Sequence, residues 1–423
     1  MIIELYGNNF GIFNDDFNLN LRANLKNRNL PYNYYKTNNI GIVKSLALYG
    51  PNNTGKTQII SALNAIKNVI LDEDFIIRSN FFNEDINTKL GFKFLYKENI
   101  YYYEFIYNAV DSEFIFEKYG KELIDSYGNK KDEVWFIKDD INGVYTFASD
   151  NEQLTNIIES ISNKKPLFHQ LDVEKFSQLK EIKSILYSEA NNIEIVSLDD
   201  ISLNKTIEIL KSNNEKKNQI VKFIKKADLF LDNFEYINTK DKIEKFIPSS
   251  ILNLIEEKKI SENIIDNLKL ISTYKGKQIP SIYDSVGTRK IEALASYIIE
   301  ALSLDKTLVI DEIDTSLHFL LTREIISLFN NIENTKAQLI FTTHDISILD
   351  CKKLFRKDQI WFLDKDEEEQ YLYSLDDFTA ENGVRSTSDI ISKYRKGDFG
   401  AIPDPQLIDV LLDIKDNRTT HEE

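Results

Sequence analysis

The feature that most restricts the fold of this chain is a loop motif near its N-terminus, set between a short apolar segment and a helical pattern. Residues 45–49 are apolar enough for a buried strand, and from Thr57 onward apolar residues recur at helical spacing. Strand, glycine-containing loop and helix, in that order, are typical of a phosphate-binding loop. The loop residues are Gly50, Pro51, Asn52, Asn53, Thr54, Gly55, Lys56 and Thr57, and the helical apolar positions are Ile59, Leu63, Ile66 and Ile70.

Each residue type in this loop has a physical role. The glycines let successive backbone N–H groups turn inward around a triphosphate, and Lys56 neutralises its β and γ oxygens. We expect the Thr57 hydroxyl to hold Mg²⁺. We therefore expect the loop residues other than Pro51 to bind a nucleotide. The alternative, a glycine-bracketed helix cap without a ligand, is disfavoured by the strand-to-helix context.

An acidic pair follows a second apolar strand at residues 308–310. Asp311 and Glu312 come at the carboxyl end of this strand, where parallel sheets bind their ligands. We expect Asp311 to bind the Mg²⁺ shell and Glu312 to orient the attacking water. An acidic pair after a strand is more often a solvated strand end, but the phosphate-binding loop in the same chain favours the functional interpretation.

A third motif precedes the acidic strand. Ser285, Gly287 and Thr288 come just before a helix with one apolar face. A helix of about fifteen residues is about 22 Å long, which predicts that this motif lies far from the acidic strand of the same chain. Its backbone N–H groups would then contact the γ-phosphate held by a second subunit. The competing interpretation is an N-cap without a ligand.

Two of the four histidines fall near these motifs. His344 follows an apolar strand at residues 338–343, where it could contact the γ-phosphate or the attacking water. His318 follows the acidic strand, and a role at a subunit contact is as well supported there as a structural one. A lone histidine is usually structural, and only this constellation favours a catalytic role for His344.

The remaining pattern predicts an α/β fold with three parts. Aromatic and β-branched residues at 90–119 predict an antiparallel meander, and strand signals fade between 151 and 269, which predicts a helical insertion. Helices and near-continuous apolar strands alternate after residue 290, which predicts a mostly parallel, buried sheet. We expect an N-terminal lobe at 1–150 with the phosphate-binding loop, the insertion at 151–269 and a C-terminal lobe at 270–423.

The composition of the chain limits the molecules that it can bind. The chain has 423 residues, of which 52 are basic and 68 acidic, and the net charge of −16 repels phosphate backbones at long range. Nucleic acid could bind only at a local patch, and a lysine cluster in the insertion is the one candidate, although such a cluster is usually a solvated helix face. Its members are Lys205, Lys211, Lys216, Lys217, Lys222, Lys225 and Lys226.

The same composition favours a cytoplasmic protein without a membrane partner. The single cysteine, Cys351, cannot form an intramolecular disulfide, which agrees with a reducing compartment. No run of eighteen apolar residues occurs, and the first ten residues lack the basic region of a signal peptide.

The order of these motifs resembles the ABC-class ATPases of the SMC and RecF kind. Among them it is most similar to compact AAA-type ATP-binding proteins of prokaryotic anti-phage systems, such as the AriA-type subunits of PARIS systems, and residues 356–362, 374–378 and 394–403 share that likeness. The resemblance implies a P-loop NTPase fold of the ABC-ATPase type. It gives Walker A roles to Lys56 and Thr57, Walker B roles to Asp311 and Glu312, signature roles to Ser285, Gly287 and Thr288, and the switch role to His344.

The chain departs from that family in two ways. Ser-Val-Gly-Thr stands where transporters have Leu-Ser-Gly-Gly-Gln, and no glutamine of a Q-loop is placed. No stretch sustains a heptad pattern, so a long coiled-coil arm is not expected.

Two functions follow from the resemblance, both with ATP and Mg²⁺ as cofactors, although the sequence does not exclude GTP. In the first, the protein forms at least a head-to-tail dimer through shared nucleotide sites and is a sensor or scaffold that controls a separate effector, a Toprim protein or another nuclease, in anti-phage defence. In the alternative it is a DNA-acting repair or maintenance ATPase whose insertion grips DNA.

Overall fold

The structure is a computed structural model, and predictions for residues outside its described ranges, including 238–265 and the C-terminal tail after 414, lie outside this description. The described residues are 1–37, 40–124, 130–148, 158, 161–170, 176–212, 214–227, 230–237, 266–366, 369–385, 388–405, 407–410 and 414.

Strands and helices alternate along much of the chain. The strands are β1 (Ile2–Asn8), β2 (Phe17–Asn20), β3 (Tyr34–Lys36), β4 (Gly41–Val43), β5 (Ser45–Tyr49), β6 (Asn87–Tyr96), β7 (Asn99–Asn108), β8 (Glu113–Ile124), β9 (Lys130–Asp139), β10 (Val144–Phe147), β11 (Ile193–Ser197), β12 (Asn233–Tyr236), β13 (Leu270–Tyr274), β14 (Lys277–Pro280), β15 (Thr307–Asp311), β16 (Gln338–Thr342), β17 (Ile360–Lys365) and β18 (Gln370–Ser374). The helices are α1 (Lys56–Leu71), α2 (Leu167–Gln170), α3 (Ser177–Asn191), α4 (Asn204–Ser212), α5 (Asn214–Lys226), α6 (Val286–Leu304), α7 (Phe319–Phe329) and α8 (Ile390–Arg395).

A six-stranded sheet forms the centre of the nucleotide-binding part. Its strand order is β11-β15-β16-β5-β17-β18, and every neighbouring pair is parallel except β17 with β18. All five residues of β5 and of β16 are buried, as expected for strands covered on both faces. The prediction of a mostly parallel, buried sheet is confirmed.

A seven-stranded antiparallel sheet contains the predicted meander. Its order is β10-β9-β8-β7-β6-β1-β2, so the three strands expected at 90–119 continue on both sides. Alternate residues of β6 face the core, where the rings of Phe92 and Phe94 stack with centroids 4.8 Å apart. Between β1 and β2 the chain turns, with a bridge between Phe10 and Phe13, and β2 begins at Phe17.

The segment predicted as a helical insertion contains strands as well as helices. Helices α3, α4 and α5 lie there, but β11 pairs in parallel with β15, and β12 joins β13 and β14 in a small sheet. Ile182 and Leu186 of α3 also pack in the same core as Leu63 of α1. The division of the chain at 150 and 269 stays a prediction.

Helix α1 begins directly at the phosphate-binding loop. Its predicted apolar stripe is confirmed, since Ile59, Leu63, Ile66 and Ile70 are all buried. Helix α6 also buries one face through Ile291, Leu294 and Ile298. In the described part of the chain, no helix combines the length and apolarity that a membrane span requires.

Candidate nucleotide-binding site

The loop between β5 and α1 has a backbone that requires glycine at both ends. A Cβ on Gly50 would lie 2.3 Å from the carbonyl oxygen of Leu363. Gly55 has a φ of 105°, and a Cβ there would lie 2.8 Å from Cδ1 of Ile12. The glycine spacing seen in the sequence is therefore imposed by close packing and by a left-handed backbone.

Lys56 is buried inside this loop with its ammonium group held by backbone oxygens. Its Nζ donates to the carbonyl oxygens of Gly50 at 2.7 Å and Pro51 at 2.8 Å. Burial lowers the pKa of Lys56 to about 8, although nearby carboxylates, led by Asp311, oppose this shift. A phosphate in the loop would favour the charged form of Lys56, so the side chain fits the role predicted for it.

Thr57 and Asp311 form an oxygen-rich pair where the loop meets the acidic strand. The Thr57 hydroxyl donates to Oδ2 of Asp311 at 2.9 Å, and the Thr342 hydroxyl donates to Oδ1 at 2.5 Å. Hydroxyl and carboxylate oxygens are the ligands that Mg²⁺ prefers. The donor set therefore fits a Mg²⁺ held by Thr57 and Asp311.

Thr342 was not predicted from the sequence, yet it connects the two acidic residues. Its hydroxyl accepts a hydrogen bond from the backbone N–H of Glu312 at 2.7 Å while it donates to Asp311. Thr342 ends β16, the neighbour of β15, so sheet register brings it to the acidic pair. Only the strand pairing reveals this contact, which no local sequence signal marks.

Glu312 lies just beyond β15 in a left-handed conformation with φ of 56°. Its Oε2 accepts a hydrogen bond from the Thr315 hydroxyl at 3.3 Å. Partial burial, followed by the charge of Asp199, raises the pKa of Glu312. A carboxylate with a raised pKa at the rim of the site is suited to accept a proton from water.

His344 lies at the end of β16 on the same side of the sheet. Its backbone N–H donates to Oδ2 of Asp314 at 3.3 Å. Partial burial and the charge of Lys56 lower the pKa of the imidazole, which favours its neutral form.

One cavity of about 230 Å³ collects most of the predicted residues. It also contains Ile12 and Gln58, which the sequence did not single out. Gln58 lies beside Gly11, where a Cβ would be 2.2 Å from its Oε1. The cavity is lined by Ile12, Asn52, Asn53, Thr54, Gly55, Lys56, Thr57, Gln58, Asp311, Glu312 and His344.

The signature residues line a different cavity, of about 590 Å³. Ser285 caps α6 by accepting from the N–H of Thr288 at 3.1 Å. His318 lines the same cavity and caps α7 by accepting from the N–H of Leu320 at 3.3 Å. None of the phosphate-loop residues lines this second cavity.

The helix-length argument that placed the signature far from the acidic strand needs correction. Strand β15 runs back along α6, so its carboxyl end returns toward the N-terminus of the helix. A Cβ on Gly287 would lie 2.8 Å from the carbonyl oxygen of Ser316, five residues after Asp311. The signature therefore packs against the turn that follows the acidic pair, although it faces another cavity.

Part of the lysine cluster in the insertion is neutralised by carboxylates. Lys205 pairs with Glu194 at 2.9 Å and with Glu300 at 3.2 Å. Lys211 pairs with Asp266 at 2.6 Å. These pairs reduce the positive charge that the cluster could present to a phosphate backbone.

The chain is similar to solved structures and matches one protein family. Among solved structures the chain is similar to the SMC head domain from Thermotoga maritima, with 14% identity, a TM-score of 0.39, and coverage of 88% of this chain and 98% of that one. It is also similar to an SMC head bound to the C-winged helix domain of ScpA, with 13% identity, a TM-score of 0.44, and coverage of 90% and 99%. No curated protein matches its sequence.

A family model matches residues 45–350, which are 306 of the 423 residues and include the phosphate-binding loop, the acidic strand and His344. The specific likeness to AriA-type proteins stays a prediction. The chain belongs to the P-loop ATPase family described as "AAA domain, putative AbiEii toxin, Type IV TA system".

Proposed function

We propose that this protein hydrolyses ATP, with Mg²⁺, at sites shared between two copies of the chain, and that it is a cytoplasmic sensor or scaffold controlling a separate effector in anti-phage defence. The observation that carries the proposal is the separation of the site into two cavities. The phosphate loop, the acidic pair and His344 line one, and Ser285, Gly287 and Thr288 line the other, with no residue in common.

The residues of the first cavity can divide the chemistry of hydrolysis. Lys56 neutralises phosphate oxygens, and Thr57 with Asp311 holds the cation, which supplies charge stabilisation when bound. Glu312 orients and deprotonates the attacking water, because its raised pKa favours proton uptake. His344, neutral and exposed, donates a hydrogen bond to the γ-phosphate.

In this proposal the second cavity supplies the γ-phosphate contacts that the first cavity lacks. Ser285 and Thr288 are hydroxyl residues at the N-terminus of a 19-residue helix, where backbone N–H groups and the helix dipole favour an anion. Their position outside the first cavity is the reason to assign them to a partner's γ-phosphate.

Dilution tests whether the active site is shared. The rate of ATP hydrolysis per chain should fall as the protein is diluted, in step with the loss of dimers in light scattering. Glu312→Gln should retain ATP and remain dimeric, because hydrolysis slows by roughly 10² to 10⁴. A rate per chain that stays constant from dimers to monomers would show that one chain is sufficient.

Effector control is tested by affinity purification from a native host extract with ATP. The Glu312→Gln bait, which keeps ATP bound, should enrich a nuclease or Toprim protein relative to the Lys56→Ala bait, which cannot bind ATP. Equal recovery on both baits would contradict nucleotide control of the effector.

The DNA-acting alternative makes a different prediction. If the insertion grips DNA, duplex DNA should stimulate ATP hydrolysis, and added salt should abolish the stimulation. We expect no stimulation, because Lys205 and Lys211 are held in ion pairs and the chain carries a net charge of −16.

A further inference from the structure

A third cavity, of about 360 Å³, lies beside the first turns of α6 and belongs to neither site described above. Its walls are the loop after β11, the 3-10 turn Ser281–Tyr283 and the side chains of Arg289 and Lys290. The charged residues that line it are two cations, Arg289 and Lys290, and one carboxylate, Asp199, which leaves a net positive charge. The cavity is therefore suited to an anion.

Two hydrogen-bond donors in this cavity have no partner in the part of the chain that the structure describes. Ser281 is 1% exposed, and its buried Oγ has no hydrogen-bond partner. The Nε of Arg289 is also buried and unpaired. Because an unsatisfied buried polar group costs about 1–3 kcal/mol, both donors favour a ligand that brings acceptor oxygens.

The neighbouring carboxylates do not cancel this positive charge. Lys290 contacts Oδ1 of Asp199 at 3.4 Å, which offsets one cation. Burial raises the pKa of Glu292 to about 9, so Glu292 is neutral near pH 7 and leaves Arg289 uncompensated. Asp284 accepts hydrogen bonds from the hydroxyl groups of Ser272 and Tyr274, does not line this cavity and forms no ion pair with Arg289 in the described part of the chain. A positive charge thus remains at Arg289.

We propose that this cavity binds a phosphate group, with Ser281 and Arg289 as hydrogen-bond donors and the guanidinium of Arg289 as the counter-charge. The guanidinium presents several N–H groups in a plane, which suits phosphate oxygens, and the Ser281 hydroxyl would donate to a further oxygen. The cavity is larger than a phosphate ion, so the group could be free phosphate or the phosphate of a small nucleotide. The proposal does not depend on the shared ATP site.

The experiment uses the full-length Lys56→Ala protein, in which the phosphate-binding loop is disabled. Inorganic phosphate, ribose 5-phosphate and AMP are titrated separately by calorimetry at constant ionic strength. We expect binding to weaken about tenfold or more in both Ser281→Ala and Arg289→Gln. The first variant loses a hydroxyl hydrogen bond to the phosphate, and the second loses a charge-assisted one. Arg28→Gln, which makes the same charge change at an exposed residue, is the matched control and should bind as the parent does.

The three ligands distinguish a site for a nucleotide from a site for the phosphate group alone. AMP binding at least tenfold tighter than phosphate and ribose 5-phosphate would identify a nucleotide, and equal binding of all three would identify the phosphate group alone. Ser281→Ala guards against a folding artefact, because it removes an unpaired hydroxyl and should leave the ligand-free protein as stable as the parent. No binding of any probe, or equal binding by Ser281→Ala, Arg289→Gln and Arg28→Gln, would overturn the proposal.

Discussion

At the scale of single residues, one hydroxyl group holds both acidic residues of the site in place. Thr342 donates to Asp311 and accepts from the backbone of Glu312, so the residue predicted to bind the cation and the residue predicted to activate water share one anchor. Glu312 needs such an anchor, because its left-handed backbone is unfavourable for a residue with a Cβ.

Thr342→Val keeps the shape of the side chain and removes both hydrogen bonds. We expect ATP affinity to stay near that of the parent, because Lys56 is untouched, and kcat to fall about 10²-fold, since small displacements of catalytic groups have that effect. Steady-state kinetics and a separate binding titration measure the two effects. Thr342→Ser keeps the hydroxyl and should restore most of the rate; equal rates for the valine and parent proteins would contradict the positioning role.

Asp199 should set the acidic limb of the pH–rate profile. Burial is the larger cause of the raised pKa of Glu312, and the negative charge of Asp199 raises it further; a general base works only when deprotonated, so hydrolysis rises with pH through that pKa. Asp199→Asn removes the charge, lowers the pKa of Glu312 and should move the limb of kcat to lower pH. Asp200→Asn, an adjacent exposed position, is the control and should leave the limb in place. An unmoved limb in Asp199→Asn would mean that another group titrates there.

At the scale of elements, a buried carboxyl group ties the signature helix to the small sheet. Ser272 of β13 contacts both Asp284 and, at 3.3 Å, Oε1 of Glu292 on α6. A hydroxyl has one hydrogen and can donate to only one of these carboxyl groups. The contact with Glu292 therefore needs a proton on Glu292, which agrees with the raised pKa that burial and Asp284 give it.

Glu292→Gln should change how stability depends on pH. In the folded protein the pKa of Glu292 is about 9 instead of the ordinary 4.5, so folding takes up a proton between these values and stability falls as pH rises. Arg289, the nearby cation, opposes the shift without reversing it. The glutamine variant does not take up this proton, so its unfolding free energy relative to the parent should rise by about 3–4 kcal/mol between pH 5 and 8.

Denaturant unfolding at several pH values measures this difference. Glu333→Gln removes a carboxylate from an exposed position and should follow the parent at every pH. If the difference between Glu292→Gln and the parent stays constant with pH, Glu292 is ionised in the folded protein.

Elements with strong local patterns could be predicted from the sequence, and elements defined by distant pairing could not. Helix α1 and strands β5, β15 and β16 have continuous apolar runs or regular stripes, and each was predicted within a few residues. Strand β11 is five residues long with Glu194 among its isoleucines, and it is held at the sheet edge by β15 alone. Its identity depends on that pairing, which local periodicity does not contain.

At the scale of the whole molecule, the sequence predicts the contiguous motifs of the site but not the residues that tertiary contacts bring to it. The phosphate loop and acidic pair are contiguous motifs, and the cavity brings both together with His344 as expected. Ile12 and Thr342 join them only through tertiary contacts, whereas Gln58 follows Thr57 in the chain. The position of the signature was misjudged because helix length alone ignores the direction in which the next strand returns.

The last prediction tests whether two chains complete one active site. Ser285→Arg should bind ATP but not hydrolyse it, because a large cation obstructs the seam, whereas Lys56→Ala should fail to bind ATP. Ser285 is a better position than Gly287, because it is exposed, while any Cβ on Gly287 would lie 2.8 Å from Ser316 of the same chain. In a two-fold head-to-tail dimer, each mixed dimer pairs one intact loop with one intact signature.

An equal mixture of these two inactive proteins should therefore regain about a quarter of the parental rate, since half of the dimers are mixed and each has one intact site of two. Exchange of subunits is first established by fluorescence transfer between labelled chains. If exchange occurs and no mixing ratio restores hydrolysis, either one chain contains the whole site or both sites must be intact together. A single-chain tandem of one parental chain and one chain with both substitutions distinguishes these cases, because it has no intact shared site and is active only if one chain contains the whole site.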